Sequence, residues 1–309
     1  MHRYIFKRIL MLIPVLLAVS FLIYFLMDLA PGDAIAAFDT KDMTLEDIEA
    51  LREELGLNDP ILVRYGKYLL GLLHGDLGTS ITYKEPVLDV FMARFPATLK
   101  LAFAGTFVAL LIAVPLGIVA ATHHRSWIDG GSMVIAMLGV SMPNFWVGLL
   151  LIIFFALRLG WLPSNGDDYW YSIILPAITV GTGFAGTMCR MTRSSMLDVI
   201  RQDYLRTARA KGVSEKKVIQ KHALRNALIP ILTTVGGVFN SALGGAVLTE
   251  TVFAWPGVGR LLVKAVGDRD IPLATGCILL VTLFTTVVLL LVDIAYAFVD
   301  PRIKAQYSK

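Results

Sequence analysis

The sequence predicts an all-α integral membrane protein of about six transmembrane helices. Three observations lead there. Of the 309 residues, 56% are hydrophobic and only 17% charged, with a mean hydropathy of +0.68, against roughly 45–50% apolar and about 25% charged in soluble domains. Six stretches carry no Asp, Glu, Lys or Arg over about the 20 residues a helix needs to cross the hydrocarbon core: Ile9–Met27, Leu101–Thr122, Gly130–Leu157, Tyr169–Cys189, Asn226–Thr249 and Ile271–Val292. Lys and Arg, finally, collect in alternate connections. Only a helix or a closed barrel satisfies every backbone group in lipid, and these runs lack the polar alternation of a barrel strand.

Taken in order, the amino terminus carries Arg3, Lys7 and Arg8 ahead of the first run. That run is too long for the roughly 7–15-residue apolar core of a signal peptide and five more follow, so residues 1–29 read as a retained anchor although Ala34-Ile35-Ala36 resembles a cleavage site. Residues 30–95 hold 12 acidic against six basic residues, which suits the extracytoplasmic side. Within them Thr44 and Asp47 make a capping-box-like helix start, Gly56 offers a stop, and Tyr65–Leu73 is a second amphipathic candidate. The segment is either a structured outer loop or a docking surface for an external partner. Residues 96–300 form a core of five further spans, in which Pro115, Pro143 and Pro176 are expected as tolerated kinks. Arg125 in one connection, the cluster from Arg190 to Arg225 in another, and a 301–309 tail with Arg302, Lys304 and Lys309 place both termini in the cytoplasm. A net charge of +4 is explained by this orientation, so nucleic-acid binding is not expected. Cys189 and Cys277 both fall in spans and are expected as free thiols.

The inner connection at 193–225 carries the most chemistry. Met196, Val199, Ile200, Tyr204, Thr207 and Ala208 recur at helical spacing, with Arg201, Arg206 and Arg209 on other faces. Gly212 interrupts this helix; Ser214 is placed to cap a second short one with Glu215 in its first turn and Val218, Ile219 and Leu224 as apolar positions. Such a pair cannot bury both faces alone and needs the membrane surface, the bundle or a cytoplasmic partner.

Tyr204-Leu205-Arg206-Thr207-Ala208-Arg209-Ala210-Lys211-Gly212, followed by His222-Ala223-Leu224-Arg225-Asn226-Ala227 and Pro230, resembles the coupling segment of bacterial ABC importer permeases of the dipeptide, oligopeptide and nickel group. Arg206 and Thr207 replace the Glu and first Ala of the wider superfamily, a departure typical of that group. Gly244–Arg260, with Trp255, Pro256 and Gly257 in an outer-face loop before a short helix to about Val266, is similar to a second family stretch; alone, Trp255 reads as an interfacial aromatic. The resemblance covers essentially the whole chain. It implies a type I importer permease fold in the bacterial inner membrane, in contact with lipid. It also implies an ATPase-coupling surface at Tyr204, Arg206, Thr207, Ala208, Arg209, Lys211, Gly212, Val213, Ser214 and Glu215. The implied partners are a second homologous permease, two cytoplasmic ATP-binding subunits that use ATP and Mg, and an extracytoplasmic substrate-binding protein. The implied cargo is a di- or oligopeptide, with nickel or a metal chelate as the alternative.

No G-x-x-x-x-G-K-[ST] phosphate cradle and no H-E-x-x-H occurs, and all five His lie outside the charge-free runs, so no enzyme activity and no bound cofactor are expected of this chain. His123 and His124 diverge on a helix and lack a third donor, so no metal site is expected. Gly237, Ser241 and Gly245 repeat every four positions, which suits close helix packing; the alternative is a pathway lining made by Gly237, Asn240, Ser241 and Gly244. A gradient-driven carrier is the rival transport class, but no central acidic pair or repeat is visible.

Overall fold

The computed structural model describes residues 2–29, 35, 44–54 and 58–299. The stop expected at Gly56 and the 301–309 tail lie outside them. Among the described residues the regular structure is helical: α1 (His2–Leu29), α2 (Leu45–Glu54), α3 (Ile61–Leu73), α4 (Val87–Thr122), α5 (Trp127–Ser141), α6 (Asn144–Leu151), α7 (Ile174–Ile200), α8 (Asp203–Ala210), α9 (Glu215–Lys217), α10 (Leu224–Gly245), α11 (Val247–Val252), α12 (Val258–Gly267) and α13 (Ile271–Val299). The chain forms two compact units, one of His2–Thr98 with Pro256–Val287, the other of Leu99–Trp255 with the chain from Val288.

In the first unit, α3 lies on α1. The Tyr65 hydroxyl donates to the Leu17 carbonyl (3.0 Å) and sits 2.9 Å from Ser20 Oγ, while its ring meets Phe21 and Tyr24 at 5.3 and 5.8 Å. A buried serine inside an apolar helix needs such a partner, because an unpaired hydroxyl in lipid is costly. The α2 start follows the expected reciprocal cap: Asp47 N donates to Thr44 Oγ1, and Thr44 N and Oγ1 both donate to Asp47 Oδ2. Those bonds hold the Asp47 carboxyl below its ordinary pKa. Phe91, Phe95 and Phe284 stack with centroids 4.2–5.9 Å apart, and a Cβ on Gly276 would clash with Val87, so α4 and α13 meet where only glycine fits. Asp270, wholly buried, caps α13 through Leu273 N (3.1 Å) and accepts from Ser80 Oγ and Thr82 N, pinning the loop before α4.

In the second unit α7 is the most buried span. It is approached through glycines: a Cβ at Gly105 of α4 would lie 2.5 Å from Val180, and one at Gly181 would lie 2.6 Å from Val108. Small residues let helices approach closely where lipid supplies no hydrophobic drive between them. The stretch read as a single third span is instead two helices, α5 and α6, bent by 97°. Met142, forced out of the helical region by the following proline, is extended (φ −91°, ψ 136°), so Pro143 breaks the helix rather than kinking it. Beyond α6 the helix widens to a π-helix over Ile152–Arg158. Among the described residues five helices are thus long and apolar enough to span a membrane, or six with the bent pair taken as one crossing.

Two cytoplasmic termini, as the charge pattern leads one to expect, require an even number of crossings and would make the bent pair a true span. The exposed Trp127 before it and Trp161 after it would then anchor in opposite interfaces. With a membrane-impermeant maleimide on sealed cells, a cysteine at Asn165 is expected to react and one at His123 to stay protected. Equal reactivity of the two would make the pair a re-entrant loop.

Candidate functional site

The expected helix from Met196 through to Gly212 is not continuous. It breaks at Arg201 and Gln202, where α7 ends and α8 begins, and this turn re-aims the next face. Leu205, passed over in the helical spacing, is fully buried, whereas Tyr204, placed on the apolar face, is 43% exposed. Leu205 enters a cluster with Met196, Val218, Ile219, Ala223, Ala227 and Ile231 that seats α8 on the ends of α7 and α10. An isolated eight-residue helix is not stable in water, so this cluster is what holds α8. The Tyr204 ring still ties in by its edge: Asn226 Nδ2 donates to its hydroxyl at 2.7 Å.

At the end of α8 Gly212 has φ +77°. Gly212 N donates to the Arg209 carbonyl (2.9 Å) and Val213 N to the Ala208 carbonyl (3.2 Å). This is the Schellman arrangement, which satisfies the last carbonyls and requires a left-handed residue at the glycine. Ala208 and Val213 both pack on the Leu205 cluster, completing its hydrophobic contact. Arg209 spans the turn with two bonds to Glu215 (Nε to Oε2 2.9 Å, Nη2 to Oε1 2.8 Å), which raise its pKa above the ordinary arginine value. Ser214 occupies the N-cap position of α9 but its hydroxyl makes no cap bond. The second helix is not a separate piece either: α9 runs through a π-helix at Val218–Ala223 directly into α10, one rod from Glu215 to Gly245. Val218 and Ile219 are buried as expected; Arg206, Thr207, Ala210 and Lys211 are exposed.

A second arrangement beside this segment was missed by sequence reasoning. Arg193 on α7 grips Asp129 of α5 in a bidentate pair, with Nε to Oδ1 and Nη2 to Oδ2 both at 2.7 Å. Asp129 also accepts from Arg125 N (3.0 Å), its own N–H is capped by Ser126 Oγ (3.3 Å), and His124 Nδ1 lies 3.4 Å from Oδ2. His124 therefore sits against this pair, with its Nδ1 also 3.2 Å from Arg193 Nη2. Among the described residues no group of three His, Cys, Asp or Glu is placed to hold a metal.

Gly236 of α10 is buried, but three other glycines of that helix do not pack within the chain: a Cβ added at Gly237, Gly244 or Gly245 would meet nothing within 4 Å. Ser241 is exposed beside them, and Asn240 keeps its Oδ1 buried without a hydrogen-bond partner. Trp255 is only 4% exposed, so it is a core residue and not an interfacial one. Its N–H donates to the Glu250 carbonyl (2.8 Å), with Ala254 at φ +48° closing α11. Pro256 and Gly257 lead into α12, which runs to Gly267 as the sequence suggested.

The family model described as the binding-protein-dependent transport system inner membrane component matches residues 113–305, and the N-terminal model for the same transport-system membrane components matches residues 1–102. The chain belongs to this family. It is the permease subunit of an ABC importer, a multi-pass inner-membrane protein and not itself an enzyme. Glutathione transport system permease protein GsiC of Salmonella paratyphi A is 42% identical over 304 residues, 98% of this chain and 99% of the relative; GsiC of Escherichia coli K12 is also 42% identical, with the same coverage. Among solved structures, the inward-facing MetNI methionine ABC transporter aligns with a TM-score of 0.59 at 17% identity, over 69% of this chain and 97% of that one. An amino acid ABC transporter aligns at 0.52 and 15% identity, over 68% and 94%. At such identities these two establish a shared permease fold alone. Importer permeases of this family work with partner ATPase subunits and a substrate-binding protein.

Proposed function

We propose that this permease forms half of a translocation pathway for a di- or oligopeptide, pairing with a second homologous permease above two cytoplasmic ATPases. The observation that carries the coupling part is the Gly212 turn: a short helix anchored by Leu205 from below, with Arg206, Thr207, Ala210 and Lys211 left outward. An ATPase docked there would act on α7 and α10 through the packed cluster, so that closure of the ATPases favours one access state over the other. ATP and Mg belong to those partners. The open face of α10 around Gly237, Asn240, Ser241 and Gly244 is the surface assigned to the pathway or to the second permease; backbone carbonyls and the exposed Ser241 there suit a polar, unselective lining. The outer-face turn at Trp255, Pro256 and Gly257 and both cytoplasmic termini complete the assignment.

The peptide cargo is supported by the 42% identity to permeases named for glutathione transport, glutathione being itself a small peptide. Nickel or a chelate remains the second reading on family grounds only. The deciding measurement is the ligand that stabilises the binding protein belonging to this permease against thermal unfolding. A di-, tri- or oligopeptide is expected; a sugar, a lipid or a bare metal ion would overturn the cargo assignment.

A further inference from the structure

Within the unit of His2–Thr98 with Pro256–Val287, a cavity of about 180 Å³ opens among the loop before α4, α4 itself and α12. Its polar lining is Tyr83, Arg94, Arg260 and Lys264, set against the Pro256-Gly257 turn, and it contains no acidic residue. Arg260 and Lys264 stand one helical turn apart on α12, where like charges repel. Lys264 Nζ is 5.1 Å from the centre of the Tyr83 ring, which keeps the ammonium over the cavity. Among the described residues no carboxylate lies within ion-pair distance of Arg94 or Lys264. These two cations, gathered with Arg260 in one concavity whose lining holds no carboxylate, make a site for an anionic group.

Size decides what carries that group. Sites that enclose a whole small molecule measure roughly 300–1,000 Å³. The present cavity is smaller, with room for the end of one side chain. We propose that it receives an Asp or Glu side chain of the extracytoplasmic binding protein, anchoring that protein on the permease before cargo release. The proposal rests on the importer reading above and on the outer placement of residues 30–95.

The test uses the full complex, permeases and ATPases together, in nanodiscs, with ATP hydrolysis titrated by the cognate binding protein. For Lys264→Glu, and for Arg94→Ala with Lys264→Ala, the half-saturating binding-protein concentration is expected to rise about tenfold or more, with a weaker salt dependence. The shift should lie in that concentration and not in the maximal rate. Arg94→Lys with Lys264→Arg, which keeps both charges, is expected to stay within about twofold of wild type. Lys264 is exposed, so its variant should assemble with the ATPases even if the double alanine variant does not. An unchanged half-saturating concentration in Lys264→Glu would overturn the proposal. So would competitive inhibition by free glutarate with the same salt dependence, which would make the cavity a small-solute site. A wild-type complex that no binding protein stimulates would overturn the importer reading, and the pocket with it.

Discussion

Gly212→Val is expected to abolish cargo-stimulated ATP hydrolysis in the reconstituted complex, at least about tenfold below wild type, while the spans insert normally. The reason is conformational and not steric, since a Cβ at Gly212 would meet nothing within 4 Å. At φ +77° a β-branched residue pays for the left-handed conformation, roughly 1–2 kcal/mol or more. The chain escapes that cost by abandoning the Schellman bonds to Ala208 and Arg209. With them goes the hydrophobic contact of Val213 on the Leu205 cluster and the geometry that lets Arg209 reach Glu215. The outward face of α8 then turns away from its partner by an ångström or more, enough to lose a docked interface. Gly212→Asn is the control, because Asn tolerates the left-handed region and should retain most of the stimulation. If this connection served only as a positively charged topogenic loop, its shape would be irrelevant and Gly212→Val would stimulate like wild type. The measurement is therefore insertion by protease protection together with ATP hydrolysis with and without loaded binding protein.

The Gly212 turn was legible because a lone glycine after a helical pattern marks a stop, and the Ser-Glu pair that follows marks a new start. The spans were legible because lipid demands long apolar runs. What escaped was of two kinds. Some features had a local signal, though a short one: Asp270 directly before Ile271-Pro272 is an N-cap signature, and Ser126 three residues before Asp129 is the same at α5. Pro143 likewise announced a break at Met142, but a long apolar run outweighed it. Others had no local signal at all. Leu205 is buried because α8 restarts after Arg201-Gln202, so the face counted from Met196 no longer applies; a turn of two residues resets the helical phase. The exposure of Gly237 and Gly244 also follows from tertiary placement, since the same small-residue spacing serves a helix packed within the chain and one left open for another.

The Asp129–Arg193 pair lay beyond sequence reasoning for the same reason, its members being 64 residues apart, yet it carries the second large expected effect. Asp129 is largely buried (side chain 8% exposed) and Arg193 is 26% exposed at the end of α7 that leads into α8. Removing Arg193 leaves a carboxylate with only the Arg125 N–H and His124 to face it. Losing a two-point bond to a charged group costs roughly 2–3 kcal/mol at such a half-wet site. For a chain of this size that is about 3–5 °C in the unfolding midpoint measured in detergent. Arg193→Lys is expected to recover little, because a point ammonium cannot reproduce the fork that reaches both Oδ1 and Oδ2. The reversed pair, Asp129→Arg with Arg193→Asp, should recover part of the loss, whereas simple packing of the arginine stem would give no recovery at all. If the pair also transmits motion, Arg193→Ala will lower stimulated hydrolysis even at temperatures where the protein is fully folded. This follows because α5 would then no longer move with the end of α7 when the ATPases close. A variant with the midpoint and stimulation of wild type would show that the bidentate contact stabilises nothing and couples nothing.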